Sequence, residues 1–375
     1  VRLKRTLWQV HRLIGVIAAL PLIAVAVTGS LLVFAEPIDR WWDPQMYRTS
    51  GGTAVPVDAA VATAMAAHPS EPWLVRIPRD HLQPLVVIYH DGSRIAIDPA
   101  SGQVLGHRGH HDGAQAWMVH LHTELLLGET GRWIIGGCAV ALLLIVISGM
   151  VLWWPGCQRI HRGFTVSFRH GWWANRDVHR VLGALASPII ALLAATGAAM
   201  IFYTTFIAIA AVLTSSPPAP APPMGTGVAS TRAALQPMVD RARVLVPDGE
   251  ATYLYLPKKP LEPVRVRLRT TSERHPNGRT FVFFDVVTGD VLRVDRADAA
   301  SPAMRAANEL YPLHIGAWAA GSGRWATLAG GVATAGLTVT GLVLFLGRRP
   351  RRSAAGRKPS QHHDPAERLA DGRVR

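Results

Sequence analysis

Apolar residues gather into four uncharged runs, Leu13–Phe34, Trp133–Trp154, Val181–Phe202 and Trp325–Leu346. A helix of about 20 apolar residues crosses a hydrocarbon core of about 30 Å, and every run is long enough, so each predicts a membrane span. Pro21 falls inside the first and predicts a kink rather than an end. Apolar character continues after the third run to Leu213, and Ala116–Leu127 predicts an apolar, histidine-bearing helix ahead of the second. Between the runs the period changes. Ala59–His68 and Leu235–Leu245 predict short helices, while Leu85–Tyr89 and Arg94–Ile97 predict strands joined at Asp91-Gly92, a hairpin dipeptide. Val264–Arg269 alternates strictly, which predicts a strand with one basic face, Arg265, Arg267 and Arg269, turned to solvent, with attraction of an anionic chelate the alternative. Thr280–Val287 and Asp290–Val294 predict two more strands, with Thr288-Gly289 between them. Pro217–Pro223 reads as a stiff, extended spacer.

Much of this pattern occurs twice. His11-Arg12-Leu13-Ile14-Gly15 opens the first run, and His179-Arg180-Val181-Leu182-Gly183 opens the third. Thr28-Gly29 and Thr196-Gly197 follow their histidines at one and the same spacing. Leu121-His122 precedes Arg132-Trp133 and Ser148-Gly149; Leu313-His314 precedes Arg324-Trp325 and Thr340-Gly341 at the same spacings. Asp98–Leu105 and Asp285–Leu292 share the pattern Asp-x-x-[Ser/Thr]-Gly-x-Val-Leu, a turn running into a strand. The expected architecture is a membrane α-helical protein with four transmembrane helices as a two-fold internal repeat and two α+β modules on one side.

Charge orients it. With the N-terminus inside, residues 1–12, 155–180 and 347–375 are cytoplasmic and hold 18 of the 39 Lys and Arg but only 4 of the 25 Asp and Glu. That asymmetry accounts for the whole net charge of +14 and follows the positive-inside rule. The basic balance is therefore topological and gives no argument for nucleic-acid binding. The first run is too long for a cleaved signal peptide, and its histidine is matched in a helix that cannot be cleaved. Cys138 and Cys157 fall in and just past a span, so no disulfide is expected. There is no CxxCH for covalent haem attachment, and no GxGxxG after a strand or Walker loop for a nucleotide.

With His-Arg-x-x-Gly opening a span, Leu-His ahead of Gly-x-x-Gly-Arg-Trp, and the duplicated hairpin in this order, the chain resembles the PepSY-associated transmembrane (PepSY-TM) family over about residues 5–347. These are bacterial inner-membrane proteins, some of which are haem-containing ferric-siderophore reductases. The resemblance implies a cytoplasmic arm at 1–12, a first span at 13–34, and a periplasmic PepSY-like module at 35–115. A pre-helix and second span follow at 116–154, then a cytoplasmic loop at 155–178 and a third span at 179–213. A second module at 214–305, a pre-helix and fourth span at 306–346, and a disordered basic tail at 347–375 complete the chain.

It also implies haem b, two per chain. Axial ligands must lie at one membrane depth on different helices, which pairs His11 with His179 on the cytoplasmic side and His122 with His314 on the outer side. A haem held by histidine on both faces has no open site for oxygen and serves electron transfer. Gly15, Ala18, Gly183 and Ala186 follow the inner histidines at positions four and seven, where small side chains leave room for a macrocycle or allow close helix packing. Arg12 and Arg180 beside the inner pair, and Arg132 and Arg324 beyond the outer pair, are candidates for the propionates or plain interfacial charges. His120 rivals His122, but side chains two positions apart on a helix point to nearly opposite sides, and its repeat position is Pro312. His107, His110, His111, His161 and His170 have no repeat match and are expected in solvent, with metal or chelate contact the alternative. The expected function is reduction of a periplasmic ferric chelate by electrons from a separate cytoplasmic donor or quinone. The alternatives are a b-type cytochrome serving another acceptor and a non-catalytic anchor that regulates a protease.

Overall fold

The structure, a computed structural model, describes residues 2–80, 82–166, 171–218, 220–225, 233–259, 261–319 and 321–347; the basic tail and His170 lie outside the described residues. The first apolar run forms two helices, α1 (Arg2–Ile17) and α2 (Ala19–Leu32), bent by 64°. Pro21 explains the bend: it has no N–H to give to the Ile17 carbonyl, and its ring crowds that carbonyl, so the ladder breaks at Ala18. After α3 (Ala35–Trp42), α4 (Val57–Ala67) and the pre-helix α5 (Ala114–Glu124) come the long helix α6 (Gly128–Trp153) and a single turn, α7 (Ile160–Gly163). The third run is α8 (Trp172–Ile201), continued past a break at Phe202 by α9 (Tyr203–Thr214). The rest are α10 (Leu235–Leu245), the second pre-helix α11 (Pro302–Ile315) and α12 (Ser322–Leu346).

Helices α6, α8 and α12 are each long and apolar enough to cross a membrane, and so is the bent pair when its two helices are counted as one span. Their outward side chains, among them Leu144, Ile147, Leu185, Val339 and Val343, are exposed and apolar, as lipid-facing residues are. Inside, Ala186, Ile190 and Ala333 pack against Leu142, Val146 and Leu182, the close contact that small residues allow between helices in lipid.

Eight strands form one antiparallel sheet in the order β4-β3-β2-β1-β5-β6-β7-β8. They are β1 (Pro72–Arg76), β2 (Leu85–Tyr89), β3 (Arg94–Ile97), β4 (Val104–Arg108), β5 (Gly249–Tyr255), β6 (Val264–Thr270), β7 (Thr280–Phe284) and β8 (Val291–Asp295). The two segments expected as separate modules thus share a sheet, joined where Leu74, Val75 and Arg76 pair with Tyr255, Leu254 and Tyr253. They also share one core, in which Val75, Val87, Leu254 and Val266 pack under Ala60 and Ala64 of α4 and Val239 and Ala242 of α10. The two covering helices cap each other. Asp58 accepts the Leu235 and Gln236 N–H groups at 2.7 and 2.9 Å, and Gln236 accepts that of Val57 at 3.0 Å.

The duplicated Asp-x-x-[Ser/Thr]-Gly pattern is a structural turn. The Gly102 and Gly289 N–H groups bond the Asp98 and Asp285 carbonyls at 2.9 and 3.0 Å, with φ of +72° and +77° at the glycines. Asp98 also accepts from the Ser50 and Ser101 hydroxyls. Burial alone would raise its pKa, but these bonds bring it down to about 2.

The pre-helix α5 is docked by a buried carboxylate. Asp39 on α3 accepts the Gln115 N–H at the start of α5 at 3.1 Å, the Tyr47 hydroxyl at 2.7 Å and the Arg108 guanidinium at 2.7 Å. One residue therefore ties α3, the end of β4 and the first turn of α5 together.

Candidate functional site

Four histidines stand in two pairs at the two ends of the helix bundle. At the end away from the sheet, His11 on α1 and His179 on α8 line one cavity of 680 Å3, within the range of cofactor sites, about 300–1,000 Å3. At the sheet end, His122 on α5 and His314 on α11 face each other with ring centroids 6.1 Å apart and planes at 57°. Two imidazoles on one metal, each nitrogen about 2 Å from it, hold their centroids roughly 6 Å apart.

Three of the four rings are held by a hydroxyl on a neighbouring helix. The Nδ1 of His11 lies 2.9 Å from Ser148 Oγ, His179 2.8 Å from Thr340 Oγ1, and His314 2.9 Å from Thr196 Oγ1. Each hydroxyl already gives its one proton to a carbonyl of its own helix, Leu144, Leu337 and Leu192 respectively. It can therefore only accept from the ring. His122 is bound at 2.9 Å by the Val25 carbonyl, which has no proton to give, with Thr28 at 3.3 Å. All four Nδ1 atoms thus carry the proton, and all four Nε2 lone pairs are left for a metal.

The residue after each hydroxyl is glycine because the ring lies over it. A Cβ on Gly29, Gly149, Gly197 or Gly341 would stand 2.8, 3.2, 3.3 or 3.4 Å from the Cε1 of His122, His11, His314 or His179. The duplicated [Ser/Thr]-Gly dipeptides, repeat markers in the sequence, are the seats of the histidines. Gly131 and Gly323 serve in another way: a Cβ there would collide with the backbone of Glu124 or Gly316, at the end of each pre-helix. They let the span start hard against the helix that carries His122 or His314.

The cavity between His11 and His179 is edged by Arg12, Arg180 and an arginine that the repeat did not single out, Arg176. Arg12 lies over the Trp8 and Phe345 rings, and Arg180 donates to the Thr165 carbonyl at 2.6 Å and pairs with Asp177 at 3.5 Å. The Nε atoms of Arg12 and Arg180 and the Nε1 of Trp172, which also lines the cavity, are buried without a hydrogen-bond partner. Such orphaned donors suit a guest with an anionic edge. Gly15 and Gly183 line the same space, whereas Ala18 and Ala186 are packed in the bundle. At the sheet end Arg132 is exposed, and Arg324 donates to the Val33 carbonyl at the end of α2 at 2.6 Å.

The basic face of β6 is not a solvated face. Val264, Val266 and Leu268 enter the core, and on the opposite side Arg267 is buried with only 8 % exposure. It donates to the Gly278 carbonyl and, with Arg279, His275 and Asn277, lines an open cavity of 340 Å3 that is also lined by Tyr203 and by Tyr311 of α11, one turn before His314. Burial first, then Arg279 and Arg267, push the His275 pKa down to about 3, so it is neutral and the positive charge belongs to the arginines. Among the described residues, no carboxylate lies within ion-pair distance of Arg267 or Arg279.

His120 and His122 point apart. His120 bonds Glu124 at 2.5 Å and packs against His110 and His111, away from the His122–His314 pair. His107 lies near His68 and His161 is exposed.

These helices, with the paired histidines at their ends, accord with the comparison to known families. The family described as PepSY-associated TM region matches residues 8–348. The chain belongs to that family. No curated protein matches it. As a PepSY-associated TM region protein it is a membrane protein, and its membrane helices carry all four [Ser/Thr]-Gly histidine seats.

Proposed function

We propose that this protein is a transmembrane electron carrier with two b-type haems that reduces a ferric chelate on the sheet side of a bacterial inner membrane. The observation that carries the reading is the shared proton placement: four Nδ1–H groups are held by hydroxyls or a carbonyl, which leaves the four Nε2 lone pairs free on two pairs of histidines, one lining a common cavity and one ring to ring. Duplication explains the likeness of His11 to His179 and of His122 to His314; that both pairs also share the Nδ1 anchor and the glycine seat is what metal ligands call for. Haem bound by histidine on both faces supplies one-electron transfer without an open coordination position.

His11 and His179 hold one group in the 680 Å3 cavity, with Arg12 and Arg180 at its anionic edge. His122 and His314 hold the other, with Arg132 and Arg324 at the starts of the following spans. The Ser148, Thr340, Thr196 and Val25 acceptors fix each ring and make it more electron-donating. Residues 1–12 and the tail are cytoplasmic on this reading, and the sheet, built from two PepSY-like modules of a two-fold repeat, is periplasmic. Electrons enter from a separate cytoplasmic donor or quinone at the inner pair. The acceptor is anionic: buried Arg267 and half-buried Arg279, with no carboxylate at ion-pair distance among the described residues, line a cavity shared with Tyr311, one helical turn before His314, and favour a ferric chelate with negatively charged oxygen donors.

The test uses vesicles in which the sheet faces outward, loaded with reductant, with ferric chelate added outside and the α-band followed. The wild type should reoxidise and His314→Ala should not, although its inner site still reduces. Equal reoxidation rates would contradict the relay. Failure with every chelate, but not with other impermeant oxidants, would assign the electrons to a different acceptor.

A further inference from the structure

His110, His111 and His120 converge although neither the repeat nor the electron path accounts for them. Their ring centroids lie 4.4, 4.4 and 4.5 Å apart. One ligand nitrogen from each falls within 4.8 Å of the others. The three come from two places in the chain. His110 and His111 follow β4 in a turn closed by the Asp112 carboxylate on the Gly109 N–H at 2.8 Å, and His120 lies two turns into α5.

We propose that these three side chains bind one divalent first-row transition ion, with Glu124 as the carboxylate that orients His120. Three imidazoles with an open fourth position form a nitrogen donor set that suits zinc, ferrous, nickel or cupric ions and not magnesium or calcium. Nitrogens around a tetrahedral ion with bonds of about 2 Å stand roughly 3.3 Å apart. His110 and His111 are exposed, which leaves their side chains room to turn toward that spacing.

The site is prepared in three respects. Glu124 takes the Nδ1 of His120 at 2.5 Å and leaves Nε2 as the ligand, the carboxylate–histidine arrangement that fixes a metal ligand's tautomer. Gly92, with φ of +81°, gives His110 the space that any side chain would occupy. The buried Asp39 bonds Arg108, at the start of the histidine turn, and the first turn of α5, so turn and helix keep their spacing. This site stands whether or not haem occupies the His122–His314 pair, since His120 faces away from it.

The full chain, purified in detergent and stripped with a chelator, is titrated with zinc alone, desalted and assayed by mass spectrometry for metal per chain. One tightly bound zinc is expected, lost in His110→Ala and His120→Ala, weakened about tenfold in Glu124→Gln and unchanged in His161→Ala. His111→Cys should keep the zinc, because a thiolate replaces the imidazole; this separates ligation from folding, as does unchanged elution of each variant. Equal zinc in the wild type and the His110→Ala, His120→Ala double variant would overturn the site, as would no zinc retained by the wild type.

Discussion

At one end of the bundle His11 and His179 look across a cavity of 680 Å3 edged by three arginines; at the other, His122 and His314 stand ring to ring, 6.1 Å between centroids. All four rings are held at Nδ1 by an acceptor on a neighbouring helix, so the difference lies in what carries them. His11 and His179 sit on membrane helices themselves, α1 and α8, and their spacing depends on bundle packing alone. His122 and His314 sit on pre-helices that the sheet segments deliver to the bundle, and their spacing depends on Asp39, Arg108 and the turns at Gly131 and Gly323. Damage to the sheet should therefore reach one pair and spare the other.

The largest effect should come from filling a glycine seat. Gly29→Leu drives a side chain into the His122 ring, where even a Cβ would stand 2.8 Å away, and should abolish haem binding at the sheet end only. Gly149→Leu should do the same to His11 alone. Separate loss of each spectral component checks both; joint loss in either variant would break the independence of the two ends. Next is Asp39→Ala, which leaves Arg108 with Asp43 alone at 3.2 Å and should cost about 1.5–3 kcal/mol locally. Its readouts are unfolding of the sheet and weakened binding at His122, with the His11–His179 site intact.

Acid should also act on the sheet. His275 is neutral when folded, with a pKa of about 3 against 6.5 for the free side chain. Below pH 6.5 the unfolded chain binds a proton that the folded one does not, so stability falls with pH from about 6.5 down to about 3 and then levels. At pH 5 the loss is about 2 kcal/mol. His275→Gln should flatten that part of the pH profile, measured by thermal unfolding of the sheet. Smallest is Thr196→Val or Thr340→Val, which removes the acceptor from one ring and should weaken haem binding there about tenfold, read by competition with a haem-binding protein.

The spans were legible because long, uncharged apolar runs have no other common use. The strands β2, β3, β6, β7 and β8 were legible from alternation and turn residues. The strands β1 and β5 were not: Pro72–Arg76 offers only a few apolar residues, Gly249–Tyr255 starts on Gly-Glu, and what makes them strands is pairing with each other across a long separation in sequence. Hence two modules were expected where one sheet runs through both. The paired histidines were visible through repetition, but their seats were not assigned, although the spacing held the clue. Thr28 lies almost the whole length of the first apolar run beyond His11, about 25 Å along a helix at about 1.5 Å of rise per residue. It cannot serve that histidine and must serve one at the other end. Arg267 was read as solvated because alternation reports two faces without saying what covers the second.

The most direct test of the central claim is the haem count per chain. The full-length protein, saturated with haem in detergent and freed of excess, is assayed as the alkaline pyridine complex in the wild type, His179→Ala, His314→Ala and the double variant. The account predicts two, one, one and none, with b-type spectra throughout; a wild type that takes up no haem, or a double variant that keeps both, would contradict it.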